Sequence, residues 1–442
     1  MTHTIGIRRE DKNRWERRVP LTPAQLARLV QQGLSFQVER SPLRAFPDEE
    51  YAAVGAATVS SLQDSKVILG VKEIPEELLL PERVYLFFSH TIKGQRGNMP
   101  MLRRLMDLGC TLLDYERIVD AHQRRLVFFG RHAGLAGMQD SLWALGQRLA
   151  SEGLATPFAQ LLPTHAYVNL QGVKAAVAGV GRSLAEQGIP EALRPLVVGF
   201  TGNGNVSRGA QEVLAALEPR SVTPEQLLQG SLPGDPATTV YQVVFEEPHL
   251  VAPREPGQPF ALSDYYQHPE RYQAIFEQYL PHLTLLINGI YWAPRYPRLV
   301  TRAALRGLFA AGGSPRLRVI GDISCDVEGS IEVTDRCTTP DAPVFVWDPT
   351  TETGRMGVAG PGPVILAVDN LPCELPTDSS DTFGAALLPL VPALAQADYA
   401  VDFAALALPP ELKRAVILHR GALTPDYAYL SEHLAAAGQL PG

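Results

Sequence analysis

The sequence predicts an α/β protein built on parallel sheets, and three observations carry that expectation. Near-continuous apolar runs recur at strand length, among them residues 66–71 (KVILGV), 83–88 (RVYLFF) and 196–200 (LVVGF). Runs of this kind suit strands buried on both faces. Stretches with helical spacing alternate with them, and a glycine turn follows the third run directly.

Taken in order, residues 4–7 read as a strand. Residues 21–33 read as a helix: Thr22 can cap it, Pro23 fits its first turn, Leu26, Leu29 and Val30 form a stripe, and Gly33 stops it. Strands follow over 66–71, 83–88 and 110–113. Leu135, Met138, Leu142 and Leu145 then give helical spacing over 133–151, read as a helix leaving a first domain. Residues 196–200 open a second α/β unit, with further strands over 240–245, 284–287, 318–323, 344–347 and 364–368. Segments 232–236, 252–259 and 359–363 are rich in Pro and Gly and read as surface loops.

The chain has 442 residues, 45% of them hydrophobic and 19% charged, a globular composition long enough for two or three domains. With 39 Lys+Arg against 47 Asp+Glu and no basic run, a nucleic-acid-binding role is not expected. The charged amino-terminal stretch leaves no room for an apolar signal segment, and no run reaches the roughly 18 apolar residues of a membrane span. A cytoplasmic location is the expectation. Cysteines 110, 325, 337 and 373 form no CxxC pair and lie near no His cluster, so reduced, mostly buried thiols and no metal site are expected.

Residues 196–210 read LVVGFTGNGNVSRGA. A strand, then Gly202-Asn203-Gly204, then a helix starting near Asn205 and Val206 is the context of a dinucleotide-binding turn. One glycine permits the turn, the next lets the backbone approach a pyrophosphate, and the helix N-terminus offers free N–H groups. Ser207 stands where a third glycine is usual. The next strand tip, about 20 residues on, falls near Arg220, Ser221 and Thr223. An arginine there suits a 2′-phosphate, which favours NADP(H) over NAD(H); Glu218 and Glu225 keep NAD(H) open.

Lys72, His90 and Glu116 each follow an apolar strand of the first half. In a parallel sheet such positions converge on one crevice, where the three can tune one another for proton transfer. Singly, each has a plain structural reading: a solvated lysine, a satisfied loop histidine, a capping carboxylate. Arg17, Arg18, Arg124 and Arg125 are candidate carboxylate clamps, or ordinary surface cations.

The motifs IGIRREDKNRWERRVPLTP, GVKEI, FFSHTIKGQ, LLDYERI, GFTGNGNVSRGAQE, LINGIYW, GDISCDVEGSIE and VDNLPCELPTDSS together resemble the lysine–2-oxoglutarate reductase family, the lysine-forming saccharopine dehydrogenases. The family also supplies the N-terminal half of bifunctional α-aminoadipic semialdehyde synthases. More distantly the chain is similar to alanine dehydrogenase and the soluble nucleotide-binding part of transhydrogenase. The resemblance runs from residue 4 to about 430 and implies two Rossmann-like domains with parallel sheets and an interdomain cleft. Residues 1–132 and 375–442 would form the substrate domain, and 133–374 the dinucleotide-binding domain.

By that resemblance Lys72, His90 and Glu116 are catalytic and Arg18 and Arg125 hold substrate carboxylates. Gly202, Asn203, Gly204, Asn205, Val206, Arg220, Ser221, Asn288 and Asp322 fall to the cofactor. The implied reaction condenses the ε-amine of lysine with 2-oxoglutarate and reduces the imine to saccharopine with NADP(H), or NAD(H), or runs in reverse. The second activity of the bifunctional enzymes, a glutamate-forming saccharopine dehydrogenase, is expected on a separate chain. The competing readings are another amino-acid dehydrogenase on the same fold, of alanine or opine type, and a non-catalytic nucleotide-binding subunit. Lys72, His90 and Glu116 weigh against the last.

Overall fold

In the computed structural model, which describes residues 2–310 and 315–437, the chain forms two α/β units. Unit 1 comprises Met1–Phe129 with Pro376–Gly442, and unit 2 comprises Gly130–Leu375. Each holds an eight-stranded sheet.

Unit 1 begins with the buried strand Ile5–Ile7 and the helix Pro23–Gln31. Thr22 and Gln25 close a capping box at the start of that helix, satisfying two otherwise orphaned N–H groups. Leu26 and Leu29 point into the core, and Gly33, at φ 84°, ends the helical run. Six parallel strands follow in chain order: Ile5–Ile7, Phe36–Glu39, Ala57–Val59, Val67–Leu69, Val84–Phe87 and Thr111–Asp114. In space they run 3-2-1-4-5-6. The antiparallel hairpin Val416–His419 and Ala422–Leu423 extends the sheet beyond Thr111–Asp114. Strand order reverses between Ile5–Ile7 and Val67–Leu69, and chains leaving such a point in opposite directions open a crevice at the carboxyl ends.

In unit 2, Leu196–Thr201 is central and fully buried. It pairs in parallel with Leu285–Asn288 on one side and Val240–Phe245 on the other. Val319–Asp322 and Val364–Leu366 continue the parallel set, and Val344–Asp348 and Thr353–Met356 add antiparallel strands. Arg220–Val222 lies at the far edge, paired only with Val240–Phe245. This corrects the sequence expectation: the strand beside the glycine turn is the third of the unit, not the second. A further correction concerns 252–259, whose first residues belong to the strand Val251–Pro253, paired with Tyr272–Ala274 in a separate ribbon.

Helix Gly130–Ser151 is buried along most of its length and lies against helix Asn205–Leu214. Two glycines set their approach. A Cβ on Gly134 would stand 1.9 Å from the Val206 carbonyl oxygen, and one on Gly209 would stand 2.1 Å from that of Arg131. Close packing assigned by motif to a third loop glycine is therefore done by Gly209, two residues beyond Ser207. Since backbone cannot yield as a side chain can, Gly134→Ala is expected to destabilise the protein by about 3 kcal/mol. Chemical denaturation measures this, and an unchanged midpoint would remove the backbone contact as a constraint.

Asp140 on the same helix and Glu374 are both buried. Burial, and for Asp140 the neighbouring Glu374 charge, raise both carboxyls, Glu374 to about 8. The pair binds a proton in the folded state that an unfolded chain releases near ordinary carboxylate values. The stability this proton contributes is full at acid pH and is lost as pH rises toward about 8. Urea unfolding at pH 5.5 and 8.5 should show the loss, and Asp140→Asn should shrink it; an equal slope in both proteins would refute the shared proton.

Cys110 and Cys373 are buried, Cys325 is partly so and Cys337 is exposed; all four are free thiols. Among the described residues no helix is long and apolar enough to cross a membrane, and no cluster of His, Cys, Asp or Glu could hold a metal ion.

Candidate active site

Unit 1 carries the ionisable set. Lys72 leaves the carboxyl end of Val67–Leu69, half-buried. Its pKa is lowered, first by burial and then by the Arg18 guanidinium, with Glu16 and Glu73 opposing. His90 follows Val84–Phe87 in a left-handed conformation, φ 50°. That backbone state is costly outside glycine, and it turns the ring toward Glu73, whose Oε1 lies 2.5 Å from His90 Nδ1. The other Glu73 oxygen accepts from Lys12 Nζ at 3.0 Å. Burial works to raise the Glu73 pKa, but the His90 hydrogen bond and charge and Lys12 outweigh it and hold the carboxyl at about 2. Glu73 is thus an anion at any physiological pH. The sequence reading passed over it because it is simply the residue after Lys72, with no spacing to mark it.

Glu116 sits in the turn Tyr115–Arg117 after Thr111–Asp114 and meets Arg125 at 3.1 Å. The organiser of that corner is Asp114, also missed in sequence. One oxygen accepts the Glu116 N–H at 2.8 Å, and the other accepts the Ser89 N–H at 2.9 Å and the Ser89 hydroxyl. One buried carboxyl therefore fixes the turns that present both His90 and Glu116. Its own pKa is pushed by burial to about 6.

The two arginines differ. Arg18 is buried in a two-point ion pair with Glu16, Nε to Oε1 at 2.7 Å and Nη2 to Oε2 at 2.5 Å, over the Phe129 ring. Arg125 has a half-exposed side chain. The structure thus ties Lys72 to the Glu16–Arg18 and Glu73–His90 pairs by charge, while Glu116 and Arg125 form a second pair joined to His90 through Asp114 and Ser89.

Unit 2 carries the glycine turn. Gly202 has φ 75°, which a side chain would resist, and its N–H donates to the Phe245 carbonyl at 2.7 Å. Nothing lies within 4 Å of a Cβ built on Gly204, so the backbone there is open to a ligand. Asn203, Gly204 and Asn205 are exposed, and Asn205 starts a ten-residue helix with Val206 in its first turn. Its uncapped N–H groups face outward as an anion cradle. Beside the turn is a cavity of about 400 Å³ walled by Glu247, Leu250, Tyr265, Tyr266, Ile290 and Tyr296. Open turn backbone at a helix start, next to an aromatic-walled cavity that Glu247 lines, is an arrangement into which a dinucleotide would fit.

The carboxylates come from the tip of Val240–Phe245: Glu246 and Glu247 follow it directly. Tyr266 donates to Glu247 Oε1 at 2.7 Å, and Asn203 Nδ2 is 3.5 Å from Glu246 Oε1. Arg220 and Ser221 are placed differently from expectation. They lie opposite Tyr241 and Gln242, toward the amino end of the neighbouring strand, whereas the glycine turn adjoins its carboxyl end at Phe245. Ser221 accepts from Gln242 Nε2 at 2.7 Å. The 20-residue rule counted along the chain to a strand that the sheet puts at its edge.

Asn288 and Asp322 end adjacent strands and are opposite one another in the ladder. Both are buried. Asn288 Nδ2 donates to Asp322 Oδ1 at 2.8 Å, Asn288 Oδ1 accepts from Thr201 at 2.7 Å, and Asp322 Oδ2 accepts from Thr334 at 2.6 Å. They form a fixed floor under the turn, with their polar atoms engaged by protein.

The model of the alanine dehydrogenase/PNT N-terminal domain matches residues 6–136, and that of the C-terminal domain matches residues 263–426. The α-aminoadipic semialdehyde synthase of Arabidopsis thaliana is 40% identical over 445 residues, covering 96% of this chain and 41% of the relative. The mitochondrial enzyme of that name from Bos taurus is 36% identical, covering 97% of this chain and 47% of the relative. The chain thus spans less than half the length of these two relatives. A saccharopine dehydrogenase (NAD(+), L-lysine-forming) of Neurospora crassa is 28% identical over 88% of this chain and 91% of its own length. Among solved structures, an L-alanine dehydrogenase superposes with TM-score 0.60 at 18% identity, covering 98% of this chain and 99% of its own. The transhydrogenase from Sinorhizobium meliloti does so with TM-score 0.52 at 14% identity, covering 96% and 99%. The fold is that of two Rossmann-like units.

Proposed function

The chain belongs to the family that unites the lysine-forming saccharopine dehydrogenases with the matching part of the α-aminoadipic semialdehyde synthases, and from that premise we propose that it interconverts lysine plus 2-oxoglutarate with saccharopine at the expense of a nicotinamide coenzyme. The observation that carries the reading is the surroundings of Lys72: an amine whose charge is disfavoured by burial and Arg18, at a reversal of strand order, beside an anion-bound histidine.

The chemistry asks for such a set. The ε-amine of lysine must be neutral to attack the ketone carbon, and the carbinolamine must lose water to become an imine. Lys72, with its lowered pKa, takes and returns the proton at the reacting nitrogen. His90, its Nδ1 held by Glu73, manages the proton on the departing oxygen. The bound dinucleotide supplies or accepts the hydride at carbon. Saccharopine carries three carboxylates, and Arg125 offers a half-exposed guanidinium for one of them. Arg18 acts on Lys72 by its charge, and its pairing with Glu16 keeps it in place for a substrate carboxylate. Glu116 sets the reach of Arg125.

The purified protein should oxidise reduced coenzyme when given lysine and 2-oxoglutarate, with saccharopine identified by mass. Lys72→Met should lower turnover by roughly 10²- to 10⁴-fold while coenzyme affinity stays within a factor of about two. Oxidation with pyruvate and ammonia but not with lysine would instead favour an alanine-type dehydrogenase, and unchanged turnover in Lys72→Met would remove that residue from the mechanism.

For the coenzyme, NAD(H) rather than NADP(H) is the better reading, against the expectation from Arg220. What supports it is Glu247, oriented by Tyr266 at the cavity beside the glycine turn, with Glu246 next to it. Carboxylates there accept from ribose hydroxyls and repel a 2′-phosphate. NADH should therefore be used at least tenfold better than NADPH, by kcat/KM, and Glu247→Ser should narrow that ratio by roughly tenfold, about 1.4 kcal/mol. Arg220→Ala should leave it alone. A preference for NADPH in the unaltered protein would overturn the assignment.

A further inference from the structure

Glu10 lies three residues past the strand Ile5–Ile7 and is buried, 7% exposed. Its two oxygens reach across to the segment just past the neighbouring parallel strand Val67–Leu69. Oε1 accepts the Val71 N–H at 2.7 Å and Oε2 accepts the Lys72 N–H at 2.9 Å. Ile5–Ile7 and Val67–Leu69 are the pair between which strand order reverses. One side chain thus ties the two lips of the crevice together, at the peptide that carries Lys72.

The form of the contact is informative. Both partners are N–H donors, so both oxygens must be acceptors. A carboxylate ion meets that demand; an amide would turn its NH₂ against one of the N–H groups, and a neutral acid gives up an acceptor site to its own proton. A purely structural tie could be made from neutral groups at far lower desolvation cost. The charged and titratable groups around Glu10 are Arg8 on its own segment, Glu16 from the loop beyond, Arg44, and the neutral Tyr115 phenol. Arg8 and the two amides favour the anion. Burial, the largest effect, and then Glu16 oppose it, and the balance leaves the carboxyl at about 7.

We propose that Glu10 is a positioning residue for Lys72, its ionised carboxylate locking the Val71–Lys72 peptide so that the amine is held in register with the reacting nitrogen. The proposal rests on the acid–base reading of Lys72. When Glu10 gains a proton, one of the two N–H bonds is lost and the lock loosens, so turnover falls on the acid side.

The test is kcat and KM against pH in the lysine–2-oxoglutarate assay for the unaltered protein, Glu10→Gln, Glu10→Asp and Lys72→Met, with NADH affinity followed by fluorescence. Glu10→Gln should lower kcat by roughly 10- to 100-fold, as expected when a reacting group is misplaced by about an ångström. NADH affinity should stay within twofold, and the acid-side fall near pH 7 should disappear. Glu10→Asp, which keeps the charge but shortens its reach, should give an intermediate kcat and a moved acid-side midpoint. If Glu10→Gln does not fold, the midpoint in Glu10→Asp decides. An inactive Lys72→Met alongside Glu10 variants with unaltered kcat and pH profile would overturn the positioning role alone. A fully active Lys72→Met would overturn it together with the reading of Lys72.

Discussion

A parallel sheet covered on both faces has nowhere to put chemistry except its rim, and that constraint governs both halves of this protein. Strands such as Val84–Phe87 and Leu196–Thr201 are buried at every residue. Their side chains are committed to packing. The polar side chains gather at the carboxyl ends, on the last residues of the strands or just past them. In unit 1 these ends carry Lys72, His90 and Asp114; in unit 2 they carry Thr201, Asn288 and Asp322. The two rims solve the same problem in opposite ways. Unit 2 cross-links its polar residues into a closed network and leaves bare backbone at Gly204 for a ligand. Unit 1 sets its ionisable groups in pairs, Glu16 with Arg18, Glu73 with His90 and Glu116 with Arg125.

Carboxylates do most of the organising at the first rim. Glu10, Glu73 and Asp114 each hold something else in place: a peptide, an imidazole, a pair of turns. Their charge states diverge because their partners differ. Glu73 has His90 and Lys12 and stays ionised, at about 2. Asp114, at about 6, and Glu10, at about 7, have mainly N–H and hydroxyl donors, which offset less of the cost of burial. Three acids of one small region therefore span the acid-to-neutral range without any of them being a surface group.

Much of this was legible in the sequence. Apolar runs marked the central strands of both sheets, Thr22 and Pro23 marked a helix start, and position after a strand marked Lys72, His90 and Glu116. The partners were not legible, because Glu10 meets Lys72, and Asp114 meets Ser89, only once strands distant in sequence lie side by side. The short edge strand Ala57–Val59, half-exposed and without an apolar run, also gave no signal. The misplacement of Arg220 has the same root. Counting residues along a chain presumes that successive strands are neighbours, and here Val240–Phe245 has slipped between Leu196–Thr201 and Arg220–Val222.

The side chains proposed to discriminate between coenzymes, Glu246, Glu247 and Tyr266, all sit in the excursion between Val240–Phe245 and Leu285–Asn288, which has its own small ribbon and its own aromatic pair, Tyr265 and Tyr272. The glycine turn and the helix behind it lie outside that excursion, and the helix is pinned by backbone contacts at Gly134 and Gly209 that leave no room for a side chain. The side chains proposed to choose the coenzyme and the turn proposed to hold its pyrophosphate therefore belong to different pieces of chain, so one can be altered without repacking the other.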